Sequence, residues 1–141
     1  MNRVKLIFDA VSENESLARV CVAAMVSELD PTLEEISDIK TAVSEAVTNS
    51  IIHGYEEKGG TIELEAVIDG NELTVVVRDF GKGIPDIPKA MEPLFSTGKD
   101  KERSGMGFTF MEVFMDDLKV ESVVSEGTTV TMRKKIGAVT E

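Results

Sequence analysis

Three short stretches carry the chemistry this sequence can offer. In Asp79-Phe80-Gly81-Lys82-Gly83-Ile84-Pro85, an acceptor carboxylate is followed at once by two residues without a Cβ. A carboxylate fixed at a strand end accepts hydrogen bonds from an amino-bearing ring, and bare backbone lets that ring or its phosphates approach. The same residues also suit an ordinary turn, with Asp79 capping it and the glycines at positive φ. The second stretch pairs Glu45 with Asn49, four residues apart and therefore on one face of a helix. Asn49 offers an oxygen to a hard cation such as Mg²⁺, and Glu45 can orient or deprotonate an attacking hydroxyl. A solvated polar face is the plain alternative, but the neighbours Ala42, Val43, Ala46, Val47, Ser50 and Ile51 are small or apolar. The third stretch, Ser104-Gly105-Met106-Gly107-Phe108-Thr109, opens a helical run from Phe108 to Asp116. Glycines feeding a helix N-terminus bare N–H groups that can hold phosphate. It matches neither the Gly-x₄-Gly-Lys-Ser/Thr pattern nor the strand-Gly-x-Gly-x-x-Gly-helix pattern.

Positioning these residues requires a helix, a sheet and a loop. Leu33, Ile36, Ile39, Val43, Val47 and Ile51 recur at three and four residues, which predicts an amphipathic helix from Thr32 to His53. Asp30-Pro31-Thr32 with Glu34 and Glu35 starts it, and Gly54 stops it. The β-branched run Val75-Val76-Val77 makes Leu73 to Arg78 a strand, paired with Thr61 to Asp69 across Asp69-Gly70-Asn71. Val4 to Ala10 reads as a first strand. Ser12 to Leu29 reads as a helix with Leu17, Val20, Cys21, Ala24, Met25 and Leu29 inward. Leu118 to Val124 and Thr128 to Lys135 predict a closing hairpin. Ile84 to Arg103, rich in Pro, Gly, Lys and Ser/Thr, lacks regular periodicity and reads as a lid. The expected architecture is α+β, a two-layer sandwich of a mixed, mainly antiparallel sheet with helices on one face. Residues 1–136 form its single domain, and residues 137–141 a frayed tail.

The order Glu45-x₃-Asn49, Asp79-x-Gly81-x-Gly83, lid, Gly105-x-Gly107 resembles the GHKL superfamily of ATP-binding domains, which includes gyrase, Hsp90, histidine kinases and MutL. The Glu45-Ala46-Val47-Thr48-Asn49 helix and the early run Asn14-Glu15-Ser16-Leu17-Ala18-Arg19 look, more narrowly, like the anti-sigma-factor serine kinases. That resemblance implies a two-layer nucleotide-binding sandwich using ATP with Mg²⁺. It implies a bound sigma factor, with the sporulation factor sigma F expected first and a general stress-response factor as the alternative. It also implies phosphorylation of a serine on an anti-anti-sigma protein, and a homodimer.

Transferred residue by residue, the resemblance makes Asp79 the acceptor of the adenine amino group, assisted by Thr128. Asn49 becomes the Mg²⁺ ligand and Glu45 the catalytic base. Gly81 and Gly83 shape the adenine side, while Thr97, Gly98, Ser104, Gly105 and Gly107 face the phosphates. Lys82, Lys99, Lys101 and Arg103 are candidate triphosphate contacts. Arg19, the basic residue of an otherwise acidic helix, matches the family's partner-contact arginine. A detached histidine-kinase catalytic domain is a second reading. It sits poorly with an acid at position 45, where an imidazole acceptor needs no base.

Composition sets outer bounds. The 141 residues, 42% hydrophobic, suffice for one core without disulfides or structural metal. The lone Cys21 reads as a buried small hydrophobe in a reducing compartment. No apolar stretch reaches membrane-spanning length, and Met1-Asn2-Arg3-Val4-Lys5 lacks the apolar run of a signal peptide, so a cytoplasmic location is expected. With 15 basic against 26 acidic residues, a net charge of −11 argues against direct nucleic-acid binding and favours a basic protein partner.

Overall fold

Alternating apolar and polar residues bring the central hairpin into being. In the computed structural model, which describes residues 1–91 and 107–137, β2 (Thr61–Asp69) and β3 (Glu72–Asp79) pair antiparallel across a turn with Gly70 at φ 64°. The other strands are β1 (Asn2–Asp9), β4 (Asp117–Val123) and β5 (Gly127–Lys135), and the sheet order is β1-β2-β3-β5-β4. Every described ladder is antiparallel, so the sheet is more uniform than the mixed one expected. The helices are α1 (Glu13–Val26), α2 (Leu33–Asn49), a short α3 (Ile87–Ala90) and α4 (Phe108–Phe114). Segment 84–91, expected to be irregular, thus contains one helical turn, capped where the Lys89 N–H donates to Asp86. Its remainder, 92–103, lies outside the described residues.

The strands' period of two sends Ile62, Leu64, Ala66 and Ile68 of β2, with Leu73, Val75 and Val77 of β3, to one buried face. There they meet Ile39, Val43, Val47 and Ile51 from the central helix and its extension, together with Val22 and Val26 of α1. Burial of each such aliphatic side chain contributes about 1.5–3 kcal/mol. The opposite face carries charge: Arg3 pairs with Glu65 at 3.1 Å, while Glu63 lies between Lys5 at 3.6 Å and Arg78 at 3.3 Å.

Helix α2 begins on a capping box: the Glu35 N–H donates to Thr32 Oγ1 at 3.0 Å and the Thr32 N–H to Glu35 Oε1 at 2.9 Å. These bonds, chiefly that from the Thr32 backbone, hold the Glu35 carboxyl below the usual range. The other Glu35 oxygen accepts the Gly137 N–H at 3.1 Å, tying the chain's later end to the helix start.

Two expectations about helix faces are corrected. Leu33 is 89% exposed, because it lies in the first turn before the helix reaches the sheet. In α1 the buried residues are Ala18, Val22 and Val26, while Leu17 and Val20 are exposed, so the inward stripe is displaced by one position. Apolarity alone did not signal that small Ala18 is fully buried while the larger Leu17 and Val20 are not. Cys21 is only partly buried.

Candidate nucleotide site

Asp79 continues the inward alternation of Leu73, Val75 and Val77, so the strand places a carboxylate where an apolar side chain would otherwise go. It is 5% exposed, and its lateral neighbours are Ile62 on β2 and Thr128 on β5. Asp79 Oδ2 accepts the Ser50 hydroxyl at 2.9 Å, and Oδ1 accepts the Gly81 N–H at 3.0 Å. Burial pushes the Asp79 carboxyl above the usual aspartate range; Gly81, Ser50 and the Thr128 backbone oppose the shift. The bonds from Ser50 and Gly81 orient this carboxylate before any ligand arrives.

A cavity gathers the inner residues: Asn49, Asp79, Gly83 and Thr128 line it together with Ser50 and Phe108. Gly83 sits at φ 79°, where an added Cβ would run into the Val123 carbonyl, and one at Gly81 would meet the Gly54 carbonyl. Both glycines are therefore required by the close approach of the loop to its neighbours. At Gly107, with φ 73°, an added Cβ would run into the Glu45 carboxyl. Thr97, Gly98, Lys99, Lys101, Arg103, Ser104 and Gly105 lie outside the described residues.

Helix α2 supplies the polar pair. Asn49 closes the α-helical part, and a π-turn over Ser50–Gly54 carries the helix on to its expected stop at Gly54. The π-turn adds a residue to the turn and swings Ser50 towards Asp79. Asn49 Nδ2 is buried without a hydrogen-bond partner, a state proteins rarely leave in place. The amide thus has unused hydrogen-bonding capacity inside the cavity, which fits a phosphate oxygen on its N–H side and a cation on its oxygen side. Glu45, one turn earlier, is half-buried, and burial, with help from the Glu15 charge, raises its pKa. A partly desolvated carboxylate with a raised pKa is suited to accept a proton.

Arg19 is not in that cavity. It lines an open groove between α1 and α2 with Ser37, Lys40, Ser44 and Glu45. Arg19 Nη1 pairs with Glu15 Oε2 at 2.9 Å, and the same oxygen accepts a short hydrogen bond from Ser44. Lys82 points elsewhere, pairing with Glu56 at 2.9 Å in the exposed loop region.

Several residues around Asp79 were not anticipated. Ser50 was masked by the apolar stripe beside it, and Gly54 was read only as a helix stop. Tyr55 Oη accepts the Phe80 N–H at 2.7 Å and donates to the Thr61 carbonyl at 2.6 Å, pinning the strand end. Ser122 in β4 lies 2.8 Å from the Thr128 hydroxyl. Alternation could have found Ser122 and Thr128 together, because they face one another in the register of β4 and β5.

This arrangement of sheet and helices is shared. Residues 8–134 match the family described as histidine kinase-like ATPase domain. The RsbU and RsbW domains of a Mycobacterium tuberculosis protein superpose with a TM-score of 0.70 at 20% identity, over 96% of this chain and 32% of that longer one. The chain belongs to the family of histidine kinase-like ATPase domains, and ATP binding is what that membership implies. Over nearly its whole length it is similar to proteins named anti-sigma F factor. It is 61% identical to that of Clostridium acetobutylicum over 98% of this chain and 96% of the relative, and 58% identical to that of Caldanaerobacter subterraneus over 96% and 95%.

Proposed function

We propose that this protein is an anti-sigma factor that sequesters the sporulation sigma factor sigma F and is also an ATP-dependent serine kinase acting on an anti-anti-sigma protein. The names of relatives about 60% identical along nearly the full chain support the sigma-factor half. The observation that carries the kinase half is the placement of Glu45 and Asn49. Asn49 faces the cavity with an unpartnered amide, and Glu45 stands a turn earlier at the groove containing Arg19. Nucleotide and protein substrate can thus approach the same turn of α2 from two sides.

In this reading Asp79 and Thr128 hold adenine, Gly81 and Gly83 shape its bed, and the Asn49 amide oxygen holds Mg²⁺ beside the phosphates. Bound Mg²⁺ supplies charge neutralisation for the transferring phosphoryl group. Glu45 takes the proton of the acceptor serine as that oxygen bonds to the γ-phosphorus, and the electron pair of the broken P–O bond leaves with ADP. Arg19 contacts the protein partners on the groove side, so sigma factor and serine protein compete for one surface. Release of Arg19 from Glu15 accompanies either contact. The protein acts as a homodimer in the cytoplasm; no helix among the described residues is long and apolar enough to cross a membrane.

Separating Glu45 from Asn49 tests the division of roles. Glu45→Ala is expected to lower phosphoryl transfer by ~10²–10⁴ while leaving ATP affinity nearly intact. Asn49→Ala is expected to weaken Mg·ATP binding itself. Equal loss of ATP affinity in the two variants would refute the assignment.

A further inference from the structure

We infer that Ser122 is a positioning residue that fixes the polarity of the Thr128 hydroxyl and thereby the cavity's preference for adenine over guanine; this rests on the nucleotide reading proposed above. Three contacts converge on Ser122 Oγ. The Ile84 N–H donates to it at 2.7 Å, the Gly127 carbonyl oxygen lies 3.0 Å away, and Thr128 Oγ1 lies 2.8 Å away. A serine hydroxyl has one hydrogen and two acceptor positions. The Gly127 carbonyl can only accept, so the Ser122 hydrogen points to it. Any other arrangement would leave two oxygens facing each other at 3.0 Å with no hydrogen between them. The hydrogen between the two side chains must therefore come from Thr128, and Ser122 is then saturated.

The consequence lies inside the cavity. Thr128 is 8% exposed and lines the cavity with Asp79, its partner across β3 and β5. With its hydrogen committed to Ser122, the Thr128 hydroxyl turns only lone pairs inward. Ionised Asp79 is likewise acceptor-only. Two neighbouring acceptors suit an exocyclic amino group, which carries two donor hydrogens, and repel the oxo group that guanine has at the same ring position. Ser122 is not among the residues that line the cavity. It acts through Thr128, and through Ile84 it ties the segment after Gly83 to the same network.

Removing the Ser122 hydroxyl frees Thr128 to rotate and donate, so an oxo group becomes tolerable. Equilibrium affinities for ATP and GTP are measured in wild type, Ser122→Ala, Thr128→Val and the double variant. Ser122→Ala is expected to reduce the ATP:GTP affinity ratio roughly fivefold, the scale of a single neutral hydrogen bond. In the Thr128→Val background the same change is expected to leave the ratio within about twofold, because the hydroxyl it controls is gone. Ser122→Cys, which keeps the volume but supplies a poor acceptor, replaces Ser122→Ala in the cycle if the alanine protein does not fold. An unchanged ratio, or equal effects in the two backgrounds, would overturn the role of Ser122 while leaving the nucleotide site standing. A wild-type protein that binds neither nucleotide would overturn the nucleotide reading and this inference with it.

Discussion

Gly54 lies directly against the Asp79 carboxyl group: a Cβ at position 54 would stand 3.0 Å from Cγ, Oδ1 and Oδ2 alike. Asp79 has no room to yield without giving up its bonds to Ser50 and Gly81. Gly54→Ala is therefore expected to lower ATP affinity roughly tenfold or more, the scale of a hydrogen bond to a charged group. Calorimetric titration with ATP reads this directly. Wild-type affinity in the variant would show that the carboxylate shifts without consequence.

Asp79→Asn is expected to lose recognition and to flatten the pH dependence of stability. The folded-state pKa of Asp79 is raised, chiefly by burial, so the native protein holds this proton more tightly than the unfolded chain. As pH rises from the ordinary carboxylate range through that raised value, the unfolded chain loses its proton first, and the ligand-free protein loses stability. Asparagine removes the titration, so the variant's stability should stay flatter over that window. Its preference for ATP over GTP should fall, because a carboxamide offers a donor as well as an acceptor. Denaturation followed across the acidic range distinguishes the two proteins; identical slopes would mean Asp79 does not titrate differently on folding.

Glu45 should show its environment in the pH dependence of phosphoryl transfer. A base works deprotonated, so the rate should fall as pH drops through the raised Glu45 pKa, above the range of an ordinary glutamate. Burial is the larger cause and the Glu15 charge the smaller. Glu15→Gln should therefore move the acid limb downward only part of the way. A limb that does not move under saturating substrate would remove Glu15 from the electrostatics of the base.

Arg19→Glu is expected to weaken binding of both the sigma factor and the serine protein while leaving ATP affinity unchanged. The groove would lose its bridge to Glu15 and gain a like charge beside it. Separate titrations with each partner test this, and undiminished binding of both would remove Arg19 from the shared surface. Because the chain carries a net charge of −11, the wild-type association rate with a basic partner should fall as salt rises.

Much of this architecture could be read from residue periodicity, because period two in β2 and β3 and the three-and-four spacing in α2 each have one structural solution. Asp79 could be read as a site residue because it interrupts an otherwise apolar alternation at a strand end beside two glycines. Asp30-Pro31-Thr32 with Glu34 and Glu35 marked the start of α2. The face of α1 was misassigned because its apolar residues nearly encircle the helix; which of them turns inward is decided by packing on the rest of the core. The π-turn at Ser50–Gly54 left no sequence signal, since it is imposed by tertiary bonds to Asp79 and to the Lys82 N–H. Ser50 and Tyr55 hold the site through contacts with residues 29 and 25 positions away, and pattern along the chain does not encode such distances. The Ser122–Thr128 pair, by contrast, lay within the alternation of β4 and β5.

With Asp79 and Thr128 as the proposed adenine contacts, the row formed by Ile62, Asp79 and Thr128 across three strands would make nucleotide binding a proofreader of folding. A slip of one residue in β3 would send Leu73, Val75 and Val77 to the charged outer face and carry Asp79 out with them. A chain with a misregistered sheet would thus lose its solubility and its ligand in the same event. In a cell supplied with ATP, the ligand would selectively retain molecules whose strands are correctly aligned, and misaligned copies would remain open to proteolysis.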